Sequence, residues 1–132
     1  MMKIIQFEDT AAKRSSVKTV LRRLGVRDSA WAQSVEEGLQ MMEEAVADGH
    51  PYDVIISDMY YPITKYGPEA QAGKELIRLL QEKGIDTPVI VLSSTRFHIE
   101  NSYRTLWYDE RSDWERELTQ VLKEIAGFGR TV

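Results

Sequence analysis

Short apolar runs alternate along the chain with longer segments in which apolar residues recur every three or four positions. The runs predict strands buried on both faces, and the longer segments predict helices that are apolar along one stripe. The predicted strands cover residues 3–7, 29–33 (the weakest signal), 52–57, 88–92 and 105–108.

Helical patterns fall between the strands. The first carries apolar residues at the spacing i, i+3, i+4, i+7, namely Val17, Val20, Leu21 and Leu24. Capping-box sequences, in which Ser and Glu side chains bond the first amides of a helix, predict helix starts at residues 34–37 and 112–115. A further helix is predicted over 74–83. This alternation favours a parallel sheet with helices on both faces.

Acidic residues directly follow two of the predicted strands. Glu8 and Asp9 come after the first strand, and Asp58 comes after the third. If these strands are neighbours, the three acids meet at the carboxyl edge of the sheet, where such folds bind ligands. Crowded carboxylates need a cation or protons to offset their repulsion, and Mg²⁺ prefers oxygen ligands of this kind. With Mg²⁺ bound, one carboxylate could attack a phosphoryl donor and form an acyl phosphate.

At these positions the chain resembles the receiver domain of two-component response regulators. The matching elements are Phe7-Glu8-Asp9, then Ile55 to Met59 with Pro62, and then Val89 to Leu92 running into Ser93. The resemblance covers residues 3–125. It implies a flavodoxin-like, doubly wound, five-stranded parallel sheet with strand order 2-1-3-4-5.

The resemblance also implies a role for each residue of the acidic pocket. Asp58 would be the phosphoacceptor, and Ser93 would donate its hydroxyl to a phosphoryl oxygen as the switch residue. Asp9 would bind Mg²⁺ directly and Glu8 through water, while the backbone carbonyl of Tyr60 would supply another ligand.

Three features depart from the family pattern. Receivers usually carry a Lys at the end of the fifth strand, whereas residues 106–109 here read Leu-Trp-Tyr-Asp. The loop between Pro62 and Gly73 is longer than usual, and residues 94–104 are too few for a full fourth helix, so that helix should be short or absent. Lys65 and Arg96 are the candidate replacements for the Lys, against the alternative that both are solvated loop charges.

Composition limits the functional classes. The 132 residues fit one domain, with a core over about 3–125 and a flexible tail at 127–132. The net charge of -4 and the lack of a dense basic run argue against direct nucleic-acid binding. No Cys is present, which excludes disulfides and thiolate metal sites. No segment is long and apolar enough to predict a membrane span, and we expect a cytoplasmic protein.

The sequence leaves four functions to compare. The first is a stand-alone receiver, not an enzyme beyond its own phosphorylation and dephosphorylation. It would take a phosphoryl group from a histidine kinase or a phosphotransfer protein and signal to a downstream protein that the sequence does not identify. A homodimer through the last helix stays open.

The second is a pseudo-receiver, a protein-interaction module that is not phosphorylated; the absent Lys and the reduced fourth helix favour it. A phosphohydrolase of the haloacid dehalogenase type is disfavoured because Tyr60 stands where that chemistry uses a second Asp. A flavodoxin-type nucleotide binder is disfavoured because Glu8 and Asp9 would repel an anion.

Overall fold

Five parallel strands form a single sheet in the computed structural model, which describes residues 2–96 and 98–128. The strands of this sheet are β1 (Ile4–Phe7), β2 (Ala30–Ala32), β3 (Val54–Ser57), β6 (Val89–Ser93) and β7 (Arg104–Trp107). A separate antiparallel hairpin consists of β4 (Tyr61–Pro62) and β5 (Glu69–Ala70). The helices are α1 (Ala11–Arg23), α2 (Val35–Ala47), α3 (Ala72–Glu82) and α4 (Trp114–Phe128).

The sheet has the predicted topology. Its strand order is β2-β1-β3-β6-β7, which is 2-1-3-4-5 when only its own strands are counted. The order reverses at β1, because β2 pairs with one side of it and β3 with the other. Phe7 is in register with Ser57. The residues that follow these two strands therefore leave the sheet side by side.

Successive strand residues point to opposite faces, and each face has its own core. Ile5 and Phe7 pack with residues of α2 and α3, whereas Ile4 packs with residues of α1 and α4. All three side chains are fully buried. Covering both faces of the sheet explains why its inner strands are mostly apolar, with Gln6 of β1 as a buried polar exception.

The long polar segment after β3 contains structure that the sequence pattern did not predict. It forms the β4-β5 hairpin, whose strands are only two residues each and thus too short to show periodicity. The Tyr61 ring is buried, and its hydroxyl lies 2.8 Å from Ser57 Oγ. On the other side of β6, the described residues between β6 and β7 contain no helix, which confirms the prediction of a short or absent fourth helix.

Of the two predicted capping boxes, the Ser34 cap is confirmed, although Glu37 accepts from Gln33 N and not from Ser34 N, and the box at Ser112 is wrong. Ser34 Oγ accepts a hydrogen bond from Glu37 N at 3.1 Å and caps α2. Ser112 does not cap α4, which begins at Trp114. Its hydroxyl instead donates to the carbonyls of Trp107 and Asp109, because the chain turns tightly after β7.

The C-terminal helix is longer than the sequence pattern indicated. It continues to Phe128, two residues into the predicted tail at 127–132, and residues 129–132 lie outside the described part of the chain. Among the described helices, none combines the length and the apolar character needed to cross a membrane.

Close packing of Gly38 against Phe7 provides a test of the hydrophobic core on this face of the sheet. A methyl group at this position in α2 would overlap with the buried ring of Phe7, which directly precedes the acidic pair. We expect Gly38→Ala to lower the free energy of unfolding by about 1–3 kcal/mol, since overpacking outweighs the better helix propensity of Ala. Urea denaturation measures this loss.

Gly127→Ala is the matched control, because it also lies in a helix but no atom of the described residues comes within 4 Å of an added methyl group. This control should lose no stability. Equal stability of Gly38→Ala and the wild type would contradict the described packing.

Candidate functional site

Three carboxylates converge where β1 and β3 end. Glu8, Asp9 and Asp58 each place a carboxylate oxygen within 4.8 Å of the others. Asp58 N donates to Phe7 O at 3.0 Å, which extends the β1-β3 pairing by one residue and fixes Asp58 beside the acidic pair. The side chains thus meet at the switch point of the sheet, as the strand assignment predicted.

The Asp58 carboxylate is held at one oxygen. Its Oδ1 accepts a hydrogen bond from Met59 N at 2.7 Å. The backbone behind it approaches α3 closely, since a Cβ on Gly73 would lie 2.7 Å from Asp58 O. Gly73 therefore allows α3 to begin directly against the Asp58 turn, and its N–H donates to Met59 O.

Glu8 is the buried member of the cluster, with an exposed fraction of 1%. Its Oε2 accepts from Thr10 N at 3.0 Å, and its backbone carbonyl accepts from the indole N–H of Trp31 at 2.6 Å. Burial raises the pKa of Glu8 from 4.5 to about 7; Lys13 opposes this rise, and Asp58 adds to it. The rise therefore comes mainly from burial of the carboxyl group, and Lys13 reverses only part of it.

A lysine that the sequence analysis did not select enters the site from α1. Lys13 is buried, with an exposed fraction of 8%, and its Nζ lies 3.1 Å from Asp58 Oδ1 and 3.5 Å from Glu8 Oε1. The same ammonium donates to Leu92 O at 2.5 Å and lies 4.8 Å from the centroid of the Tyr108 ring. One signal could have revealed it: Lys13 stands four residues before Val17, on the apolar stripe of the helix.

The two predicted replacements for the missing Lys lie elsewhere. Among the described residues, Lys13 is the basic residue in ion-pair contact with Asp58, and neither Lys65 nor Arg96 makes such a pair. Lys65 lies over the Tyr66 ring and Arg96 over the Trp107 ring, with the centroids at 5.4 Å and 4.4 Å. Both are exposed loop charges, as the alternative reading held.

Ser93 and Tyr60 flank the cluster. Ser93 ends β6 and is buried; its Oγ lies 2.8 Å from Thr95 Oγ1 and accepts a hydrogen bond from Thr95 N. Tyr60 is half-buried, two residues after Asp58. The switch role of Ser93 and the carbonyl ligand from Tyr60 stay predictions.

The donor set suits a hard divalent cation. Three carboxylates lie together, and among the described residues Lys13 is the basic residue that forms ion pairs with them, so negative charge is in excess. Oxygen ligands and an excess of negative charge are what Mg²⁺ requires. Glu8, Asp9 and Asp58 are therefore the residues that would hold it.

Comparison with known proteins gives matches at the level of structure. Neither a family model nor a curated protein sequence matches the chain. The receiver domain of a Francisella response regulator matches with a TM-score of 0.72 at 24% identity, covering 100% of both chains. The response regulator TrrA from Thermotoga maritima, solved in complex with Mg²⁺-BeF, has a TM-score of 0.70 at 20% identity over 95% of this chain and 99% of that one. The phosphorylated cyanobacterial phytochrome response regulator RcpA has a TM-score of 0.69 at 18% identity, over 98% and 94%.

The chain has the receiver-domain fold. The matches extend over nearly the whole chain, so the fold predicted from the sequence resemblance is confirmed. The acidic cluster also fits the kind of Mg²⁺ site found in a receiver fold.

Ionisation of Glu8 should make the stability of this receiver fold depend on pH. Between pH 4.5 and about 7 the unfolded chain has lost the Glu8 proton while the folded chain retains it. The stability that the protonated group contributes is complete below pH 4.5 and is lost as the pH rises to about 7. Glu8→Gln cannot ionise. Without Mg²⁺ at pH 8 we expect it to be more stable than the wild type, by on the order of 2–3 kcal/mol.

Urea denaturation in the presence of a chelator measures this difference, which should shrink as the pH falls towards 4.5. Glu43→Gln, on the exposed surface of α2, is the control and should show no such trend. A Glu8→Gln variant that is less stable than the wild type at pH 8 would mean that the Lys13 contact outweighs burial.

Proposed function

We propose that this protein is a phosphoacceptor receiver that takes a phosphoryl group onto Asp58 with Mg²⁺ and signals through binding to a partner. The observation that carries the proposal is the meeting of Glu8, Asp9 and Asp58 at the switch point of a receiver fold, with one buried ammonium beside them. Three mutually repelling acids cost stability in the absence of a cation. A binding role for the cluster explains that cost.

The geometry around Asp58 distinguishes its two oxygens. Oδ1 accepts from Met59 N and contacts Lys13, whereas among the described residues Oδ2 has no hydrogen-bond donor. In the proposed step Oδ2 attacks the phosphorus of a phosphohistidine. The phosphorus–nitrogen bond breaks, its electron pair stays on the imidazole nitrogen, and an aspartyl phosphate forms. Bound Mg²⁺ would neutralise charge on the transferring group.

The phosphoryl donor in this proposal is a histidine kinase or a phosphotransfer protein. Solved structures with this fold support phosphorylation with Mg²⁺, since one is a regulator in complex with Mg²⁺-BeF and another is a phosphorylated regulator. The chemistry proposed for the chain itself is limited to gaining and hydrolysing its own phosphoryl group. We place the protein in the cytoplasm, where such donors act on it, and we propose an output through a separate downstream protein.

A pseudo-receiver is the second candidate. The observation that favours it is the absence of a helix between β6 and β7 in the described residues, which removes part of a receiver's usual surface. This candidate predicts the same fold and no phosphoryl transfer.

Intact-mass measurement after incubation with acetyl phosphate and Mg²⁺ separates the two candidates. We expect the wild-type protein to gain the mass of one phosphoryl group, and we expect Asp58→Asn to gain none because the amide is not a nucleophile. Omission of Mg²⁺ should also abolish the gain.

Asp86→Asn is the matched control, since Asp86 is an exposed acid that precedes β6 at the opposite edge of the sheet. It should be phosphorylated like the wild type. No adduct on the folded wild type would reject the phosphoacceptor and favour the pseudo-receiver.

A further inference from the structure

Lys13 lies on α1, whereas receivers usually carry their lysine at the end of the fifth strand. The residues after β7 are Tyr108 and Asp109, so the fifth strand of the sheet supplies no ammonium. The ammonium that contacts Asp58 comes instead from the first turn of α1. Its side chain is almost completely buried, which restricts where Nζ can lie.

Four contacts hold this ammonium at the nucleophile. Two are carboxylate oxygens, Asp58 Oδ1 at 3.1 Å and Glu8 Oε1 at 3.5 Å. The third is the Leu92 carbonyl at 2.5 Å, and the fourth is the face of the Tyr108 ring at 4.8 Å. Tyr108 N donates to Ser93 O at 2.8 Å, which fixes the tyrosine beside the end of β6. The residue at the end of the fifth strand thus supports a cation instead of providing one.

We propose that Lys13 binds the phosphoryl group on Asp58, so that a lysine of the first helix takes the place of a lysine at the end of the fifth strand. This inference rests on the proposed phosphoacceptor function. Lys13 holds Oδ1 while Oδ2 attacks, and a phosphoryl group on Oδ2 then lies within reach of the same ammonium. A phosphoryl group brings about 1.5 to 2 negative charges, and Lys binds such groups as a point charge on a flexible stem.

The bond changes during transfer from acetyl phosphate are simple. Oδ2 of Asp58 forms a bond to phosphorus, the bond between phosphorus and the acetate oxygen breaks, and acetate leaves with the electron pair. Lys13 forms and breaks no covalent bond. Its charge offsets the negative charge that the equatorial oxygens carry during transfer and in the product.

Rates of phosphorylation from acetyl phosphate test the role of Lys13, measured by intact mass at saturating Mg²⁺. Lys13→Met keeps an unbranched apolar stem but removes the ammonium and its charge. We expect it to be phosphorylated about 100-fold more slowly than the wild type, the effect typical of losing one fixed electrostatic contact in a transition state. Lys18→Met, on the same helix but outside the contacts of the acidic cluster, should keep the wild-type rate.

A second variant separates loss of the charge from damage to the fold. In Lys13→Met/Tyr108→Lys the ammonium moves from α1 to the end of β7, and we expect the phosphorylation rate to recover in part.

For each variant, urea denaturation measures stability and the Mg²⁺-dependent change in tryptophan fluorescence measures Mg²⁺ binding. Tryptophan fluorescence can report Mg²⁺ binding because the Trp31 indole N–H donates a hydrogen bond to the backbone carbonyl of Glu8. Lys13→Met should remain folded and bind Mg²⁺ at least as tightly as the wild type, since it has lost a competing cation.

The outcomes separate this inference from the function on which it rests. A wild-type protein that gains no phosphoryl group overturns both. A folded, Mg²⁺-binding Lys13→Met that is phosphorylated at the wild-type rate overturns only the role of Lys13. If Lys13→Met is slow merely because it is unfolded or has lost Mg²⁺ binding, Lys13 is a structural residue and the inference is also wrong.

Discussion

Negative charge concentrated at one edge of the sheet is the constraint around which this structure is arranged. The apolar runs of β1 and β3 pair in parallel and in register, so the acids that follow them must lie together. Among the described residues, the ammonium of Lys13 forms the ion pairs that offset their repulsion. Removing the ammonium from such a buried arrangement would leave the carboxylates without a compensating charge, which costs stability. The acids and the lysine must therefore be considered as one unit.

The position of that lysine follows from the packing of α1. The buried Val17, Val20 and Leu21 fix which face of the helix lies on the sheet, and Lys13 is one turn earlier on the same face. Because α1 starts just after β1, its first turn lies at the carboxyl edge of the sheet. A residue that helical periodicity assigns to the core thus extends along the core and ends at the acidic cluster, with an apolar stem and a polar tip.

Local sequence patterns predicted the features that depend on neighbours in the chain. The parallel sheet, the position of Asp58 after β3 and the missing helix between β6 and β7 all follow from short runs and their spacing. The β4-β5 hairpin escaped prediction because its stability comes from the buried Tyr61 and its contacts, not from a periodic pattern. The contact of Lys13 with the acidic cluster was not predicted for a related reason. Loop residues near the site in sequence are the obvious candidates to replace a strand lysine, whereas the Lys13 contact depends on the rotational setting of a helix, at a residue 45 positions before Asp58.

The β4-β5 hairpin and the connection from β6 to β7 follow two strands that end at the edge of the acidic cluster, and both affect how it could signal. On one side the hairpin is tied to α2, because Glu36 N donates to Ile63 O and Lys65 N donates to the Glu36 carboxylate. On the other side the described connection from β6 to β7 has no helix that could move in response to Asp58.

Lys13 links three elements at this edge of the sheet. Its side chain extends from α1 to the Leu92 carbonyl of β6 and to the Tyr108 ring that follows β7. A new charge on Asp58 would compete with Glu8 and Leu92 for the same ammonium. A signal from Asp58 would therefore pass most directly to α1 and to the end of β7.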